Sequence, residues 1–247
     1  MPEQVKALII GGTAAYGLDL APFAQVHDTC VLETPYGPSP PIHILRPPGH
    51  ETPVAFCSRH GPDRLTRSAA FINHRALIWA ARLLRAQVIF SWNGVGAIAG
   101  HLQVGDLVVP HDFIDFTRTR ITSFDRTDLT AAEGPAFHPQ ARSAIIAAFE
   151  PDAAVHNGVY VCTEGPRLET AAEIELYHRA GADIVGMTLS PEVFLAQEIG
   201  VPYASLCYIT NYATGRARHR PPRRRFGPEV AHTCLPLLLT AARLYRP

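Results

Sequence analysis

The residues best equipped for chemistry stand where short apolar runs stop. In "YVCTEGPRLETAAEIELYHRAGADIVGM", residues 160–187, a β-branched run halts at Thr163 and a helical pattern follows, with Glu164, Arg167 and Glu169 at the joint. Open α/β sheets bind their ligands in the crevice at the carboxyl ends of the strands, so carboxylates at such a joint raise the question of what they read. Thr188 and Asn211 stand just past two further runs, 182–187 and 203–210. Either could instead cap a following helix, as Ser190 could cap one beginning at Pro191. "LIIGG" runs into Gly11-Gly12-Thr13, whose backbone N–H groups and hydroxyl suit a phosphate or carboxylate. A tight turn leaving a strand explains that triplet equally well. In "SRHG", residues 58–61, Arg59 and His60 together suit an anion, because a guanidinium matches phosphate oxygens. Each end alone has an ordinary reading as a solvated loop. Five such ends in one chain point to a site.

"SWNGVGAIAG", residues 91–100, fits a loose dinucleotide fingerprint at Gly94, Gly96 and Ala99. That reading needs a crossover helix of a dozen or so residues next. A turn and a new strand beginning by Asp106 leave too little chain, so the glycines are read instead as room for a ligand, with Asn93 presenting its amide.

The elements that must position these residues are legible as a pattern. Apolar runs at 5–11, 41–45, 53–58, 87–92, 106–110, 158–163, 182–187 and 203–210 read as strands, several covered on both faces. Helical patterns lie near 70–85, 139–149, 169–180, 191–199 and 227–244. The alternation predicts an α/β fold, a single domain over 1–247 with a mixed central β-sheet flanked by helices. The proline-rich stretch 34–49 predicts an ordered surface loop and an edge strand.

Composition narrows the class. Hydrophobic residues form 47% and charged residues 18% of the 247, as in globular enzymes, and Lys plus Arg equals Asp plus Glu at 22 each. No global basic field invites nucleic acid, and no early apolar run is long enough for a membrane span. Five scattered cysteines read as buried, reduced thiols of a cytoplasmic protein. Twelve histidines show no zinc-type spacing, so no metal is expected. The local exception is "RARHRPPRRR", residues 216–225, with six arginines in ten positions.

The blocks "IIGGT", "ETPYG", "SRHG", "NGVG", "VGDLVVPHDFIDFT", "TEGPRLET", "GADIVGMTLSPEVFLAQEIG" and "ASLCYITN" together resemble the trimeric purine nucleoside phosphorylase and methylthioadenosine phosphorylase family. The resemblance covers nearly the whole chain and is most specific from Glu164 to Glu198. It implies cleavage of a purine nucleoside by inorganic phosphate to the free base and a ribose 1-phosphate, without metal or organic cofactor, in a homotrimer. It places phosphate against Thr13, Arg59, His60, Asn93 with Gly94, and Thr188. Met187 would pack near the ribose and Leu168 along the base, with Glu169 and Asn211 reading the purine edge. Arg167 and Glu164 would be structural, and a neighbour's segment near Phe137-His138 would complete the sugar pocket.

The chemistry of those roles is coherent. Breaking the N-glycosidic bond leaves positive charge on the sugar, stabilised by phosphate, and negative charge on the purine, stabilised by a donor at N7 or O6. A Glu169 carboxylate suits the N1–H of hypoxanthine or guanine and opposes the lone pair of adenine N1, a mismatch worth about 1–3 kcal/mol. Adenine-directed members of the family have aspartate where Asn211 stands and no glutamate at 169. The short scaffold with Glu169 and Asn211 resembles the methylthioinosine phosphorylase branch, so plain or 5′-substituted inosine is the expected substrate class. Three stretches depart from the family pattern: "AAY" at 14–16, "PDRLTRSAAFINHRA" at 62–76 with His74 in place of a tyrosine, and the arginine run. The first two border the phosphate site and keep a hydrolase or a silent nucleoside-binding protein open as alternatives. Arg223, Arg224 and Arg225 could meet an anionic 5′ group, or belong to a solvated basic loop.

Overall fold

A computed structural model describes residues 3–12, 14–130, 133–216 and 227–247. Eleven strands are assigned among them: β1 (Ala7–Gly11), β2 (Gln25–Cys30), β3 (Glu33–Thr34), β4 (Gly37–Pro38), β5 (Ile42–Arg46), β6 (Val54–Ser58), β7 (Val88–Ala97), β8 (Leu107–Asp115), β9 (His156–Cys162), β10 (Ile184–Gly186) and β11 (Tyr203–Tyr212). The α-helices are α1 (His74–Leu83), α2 (Pro139–Ile146), α3 (Ala171–Arg179), α4 (Leu189–Glu198) and α5 (Pro228–Leu244).

Nine strands form one mixed sheet in the order β10-β9-β8-β11-β7-β1-β6-β5-β2, and β10 also pairs with β7. That extra pairing closes β7, β11, β8, β9 and β10 into a barrel-like ring, from which the other four strands extend. Ring closure leaves no free edge on that side, and no room for bulk where β7 meets β10. A Cβ at Gly96 would sit 3.2 Å from Val185 Cγ1 and 3.4 Å from Asn211 Nδ2.

Strand alternation sorts the core. Leu8 and Ile10 of β1 join a cluster with Leu77 and Ile78 of α1 and Leu189 and Val193 of α4. Ala7 and Ile9 join the opposite cluster with Ala141 and Ile145 of α2 and Leu235 and Leu238 of α5. Every residue of β1 is buried because helices cover both of its faces. Local signals set the helix starts. Asn73 accepts from the Ala76 N–H, and Thr170 and Glu173 form a reciprocal capping box at α3.

The expected α/β fold with a mixed sheet is observed, with four local differences. The edge strand is β2, and β5 lies inside it, paired to both β2 and β6. β2 is exposed along nearly its whole length and too polar to read as a strand, while the prolines of 38–48 flank β5 and leave its ladder intact. β8 continues through Pro110 to Asp115, with a register shift between Pro110 and Asp112 that accommodates the proline. β7 likewise runs through Asn93, Gly94 and Gly96, so these lie within a strand, and the helix that the rejected dinucleotide reading required does not follow. Asn211 is within β11, past a register shift after Ile209.

Candidate active site

The strand pairing brings the sequence-selected residues to one end of the sheet. Gly11 is registered beside Ser58, Ile10 beside Ser91, and Cys207 beside Asn93. The glycine turn after β1, the Arg59-His60 end of β6 and the middle of β7 are therefore neighbours. A Cβ at Gly12 would overlap the Trp92 carbonyl oxygen and press on Asn93 Cα at 3.0 Å and Arg59 Nη1 at 3.1 Å. Only glycine lets the turn lie against these groups. Thr13 falls outside the described residues.

Arg59 is buried and anchored. Its Nε and Nη2 donate to Glu192 Oε1 and Oε2 at 2.8 and 2.7 Å, and its Nη1 donates to Trp92 O at 3.0 Å. A guanidinium has five N–H donors, so two remain for an anion. Glu192 also accepts from His74 Nδ1 at 3.1 Å and from Tyr203 Oη at 2.8 Å. Against burial, Arg59 and His74 hold its carboxyl down to about 2. The His74 imidazole is lowered chiefly by burial, and its Nε2 is buried without a partner. His60 is buried beside Arg59, and its Nδ1–H donates to Arg67 O at 2.9 Å. Burial and the Arg59 charge lower it to about 4, so it is neutral at pH 7 with Nε2 as a free acceptor. The sharpest surprise is Glu192, which the sequence reading passed over. A lone acid in "SPEVFLAQ", on a helix that is otherwise apolar there, was the available signal.

Asn93 is buried, with one amide N–H given to Ser205 Oγ at 3.1 Å, and its Oδ1 has no partner. Thr188 is buried at the start of α4 with an unpaired hydroxyl. Ser190 has the extended backbone of a cap (φ −86°, ψ 133°), yet its hydroxyl donates to Asp115 Oδ2 at 2.8 Å rather than capping the helix.

The second half of the site collects at the ends of β9, β10 and β11. Thr163 N–H donates to Gly186 O, and Thr163 Oγ1 donates to Glu169 Oε1 at 2.5 Å, which fixes one oxygen of a buried carboxylate. Asn211 Oδ1 accepts from Thr210 Oγ1 and its Nδ2 donates to Tyr212 O, both at 2.9 Å, leaving one amide N–H free. Met187 packs over Gly165, where a Cβ would come within 2.6 Å of its sulfur. Leu168 is exposed. Because Met187 and Thr188 lead directly into α4, which carries Glu192, this helix joins the two halves.

Glu164 and Arg167 both have partners within the protein. Glu164 accepts from the backbone of Arg118 and Thr119, and Arg167 makes a bidentate pair with Glu173 on the surface. Phe137 is buried within its own chain, its ring tilted against Phe113. Arg216 donates to Glu175, and Arg223, Arg224 and Arg225 lie outside the described residues. Among the described residues no group of three His, Cys, Asp or Glu side chains is placed to hold a metal, and no helix is long and apolar enough to cross a membrane. An open groove of about 270 Å³ between Phe23, Pro47 and Arg243 shares no residue with this site.

The geometry agrees with the comparisons. Residues 6–237 match the phosphorylase superfamily, and the chain belongs to that family. A protein of Methanothermobacter thermautotrophicus named a probable S-methyl-5′-thioinosine phosphorylase is 40% identical over 205 residues, covering 83% of this chain and 71% of its own. A protein of Moorella thermoacetica named a probable 6-oxopurine nucleoside phosphorylase is 36% identical over 222 residues, covering 85% and 81%. Among solved structures, a double mutant of the adenosine/methylthioadenosine phosphorylase of Schistosoma mansoni with adenine superposes with a TM-score of 0.84 at 26% identity, covering 98% of this chain and 92% of that one.

Proposed function

We propose that this member of the phosphorylase superfamily cleaves 6-oxopurine nucleosides, inosine or guanosine or their 5′-methylthio forms, with inorganic phosphate. The products are the free base and a ribose or 5-methylthioribose 1-phosphate. The observation that carries the base preference is the Glu169 carboxylate, buried with one oxygen fixed by Thr163 and without a second protein partner among the described residues. Such an acceptor pairs with a protonated N1 and opposes the unprotonated N1 of adenine. The relatives named for thioinosine and 6-oxopurine substrates support the same choice.

In this reading Asn211 donates its free N–H to N7 or O6 as negative charge develops on the leaving purine. Met187 lies against the ribose, and Leu168, exposed in the free protein, folds along the base. Phosphate sits against the Gly11-Gly12-Thr13 turn, Arg59, His60, Asn93 with Gly94, and Thr188, and stabilises the cationic sugar. No metal or organic cofactor takes part. The enzyme works as a cytoplasmic homotrimer in purine salvage.

The test is release of hypoxanthine from inosine and 5′-methylthioinosine, with and without phosphate, beside adenosine and 5′-methylthioadenosine. Phosphate-dependent release with slow adenine nucleosides is the expected result. Faster turnover of the adenine nucleosides would make the chain a methylthioadenosine phosphorylase. Release without phosphate would make it a hydrolase, and binding without release a silent relative.

A further inference from the structure

Behind the proposed phosphate site lies a continuous buried chain of polar side chains. Tyr203 Oη is 2.8 Å from both Glu192 Oε2 and Ser91 Oγ, Ser91 Oγ is 2.9 Å from Ser205 Oγ, and Asn93 Nδ2 is 3.1 Å from Ser205 Oγ. Each hydroxyl has one proton, and an ionised carboxylate can only accept. One arrangement satisfies all four contacts. Asn93 donates to Ser205, Ser205 to Ser91, Ser91 to Tyr203, and Tyr203 to Glu192. The carboxylate at the far end sets these directions, with the Ser91 carbonyl, 3.3 Å from Ser205 Oγ, as a longer alternative acceptor for the Ser205 proton.

We propose that Glu192 is a positioning residue that fixes both arms of the anion site at once, Arg59 by direct bidentate contact and Asn93 through Tyr203, Ser91 and Ser205. The inference rests on the reading that this site takes phosphate. Its chemical consequence is specific. The amide of Asn93 is held with Nδ2 turned inward, and Oδ1, buried and unpaired, is its free pole. Arg59 Nη1 and Asn93 Cα both crowd the same point at Gly12, so the Arg59 guanidinium and Asn93 flank one glycine turn. Glu192 also cancels the charge of Arg59, so recognition depends on aimed dipoles more than on net charge, and aim is what a hydrogen-bonded chain supplies.

The experiment uses full-length Tyr203→Phe, Ser205→Ala and the double variant, with phosphate varied at saturating nucleoside and the reverse. Each single change removes one link and leaves Arg59 paired. The KM for phosphate should rise about 3–10-fold, the range of one lost hydrogen bond, while the KM for nucleoside stays within about twofold. The double variant should be no worse than the poorer single one, because a chain already cut cannot be cut again. An unchanged KM for phosphate in a variant that melts like the parent overturns the proposal. So do single effects that multiply, or a nucleoside KM that rises in step. If the parent enzyme releases base at a rate indifferent to phosphate, the functional reading itself fails and this proposal goes with it. Glu192→Gln is the direct variant, but Tyr203→Phe and Ser205→Ala keep the test open should it fail to fold.

Discussion

Arg59 and Glu192 are 133 positions apart in the chain and form a fully buried bidentate ion pair, with N···O distances of 2.8 and 2.7 Å. The pair ties the end of β6 to α4, and so ties the anion-binding half of the site to the helix that follows Met187 and Thr188. A residue read as a ligand group is therefore also a fold-holding one.

Arg59→Ala should then cost far more stability than removal of an exposed binding arginine. It would leave Glu192 buried and ionised with only His74 and Tyr203, and breaking a buried pair on one side costs about 3–5 kcal/mol. Arg59→Lys restores the charge without the fork and should recover only part of that loss. Urea unfolding of the three proteins measures it. A loss below about 0.5 kcal/mol for Arg59→Ala, typical of a surface change, would contradict the pair's structural role.

Acid should destabilise the protein in two steps. His60 is lowered to about 4 from 6.5, so the unfolded chain takes up its proton first and stability falls as pH drops from 6.5 towards 4. Glu192 is lowered to about 2 from 4.5, so its contribution is present above 4.5 and is lost as pH falls towards 2. Melting temperature against pH in parent and His60→Gln proteins checks the first step. The variant should be flatter between pH 6.5 and 4, and identical slopes would remove His60 as the cause.

How much of this was readable beforehand follows from the distance of each partner along the chain. The ends at Arg59, Asn93, Glu169 and Asn211 were visible because the change from apolar run to polar residue is local. Glu192 was missed because its partners stand 133, 118 and 11 residues away, at Arg59, His74 and Tyr203. The hydrogen bond from Asn93's amide to Ser205, 112 residues on, was hidden for the same reason. β2 was missed for a different one. An edge strand with an exposed polar sequence carries no hydrophobic alternation, and its pairing with β5 comes from the backbone.

Gly12→Ala should damage the site more than the fold. The added methyl would meet the Trp92 carbonyl, which is backbone and cannot turn aside, next to Arg59 and Asn93. Overpacking of this kind costs about 1–3 kcal/mol, and here the relief available is to move the glycine turn away from the anion position. A melting temperature a few degrees lower with a KM for phosphate raised at least tenfold is expected. A variant with parental phosphate kinetics would show that the turn does not contact the anion.

Base selectivity gives the most discriminating pair of variants, because the same carboxylate can be altered in charge or in aim. Glu169→Gln keeps the shape and adds an amide donor, which can face the lone pair of adenine N1. The inosine-to-adenosine ratio of kcat/KM should fall by about 10–100-fold, the cost of one mispaired buried group. Thr163→Val keeps the charge but removes the 2.5 Å hydrogen bond that fixes Oε1. The carboxylate is then free to rotate, so rates on inosine should drop with a smaller change in the ratio. Both are read from initial rates on the two nucleosides. A Glu169→Gln enzyme with the parental ratio would mean that Glu169 does not face the purine edge, and the preference for 6-oxopurines would have to come from Asn211 alone.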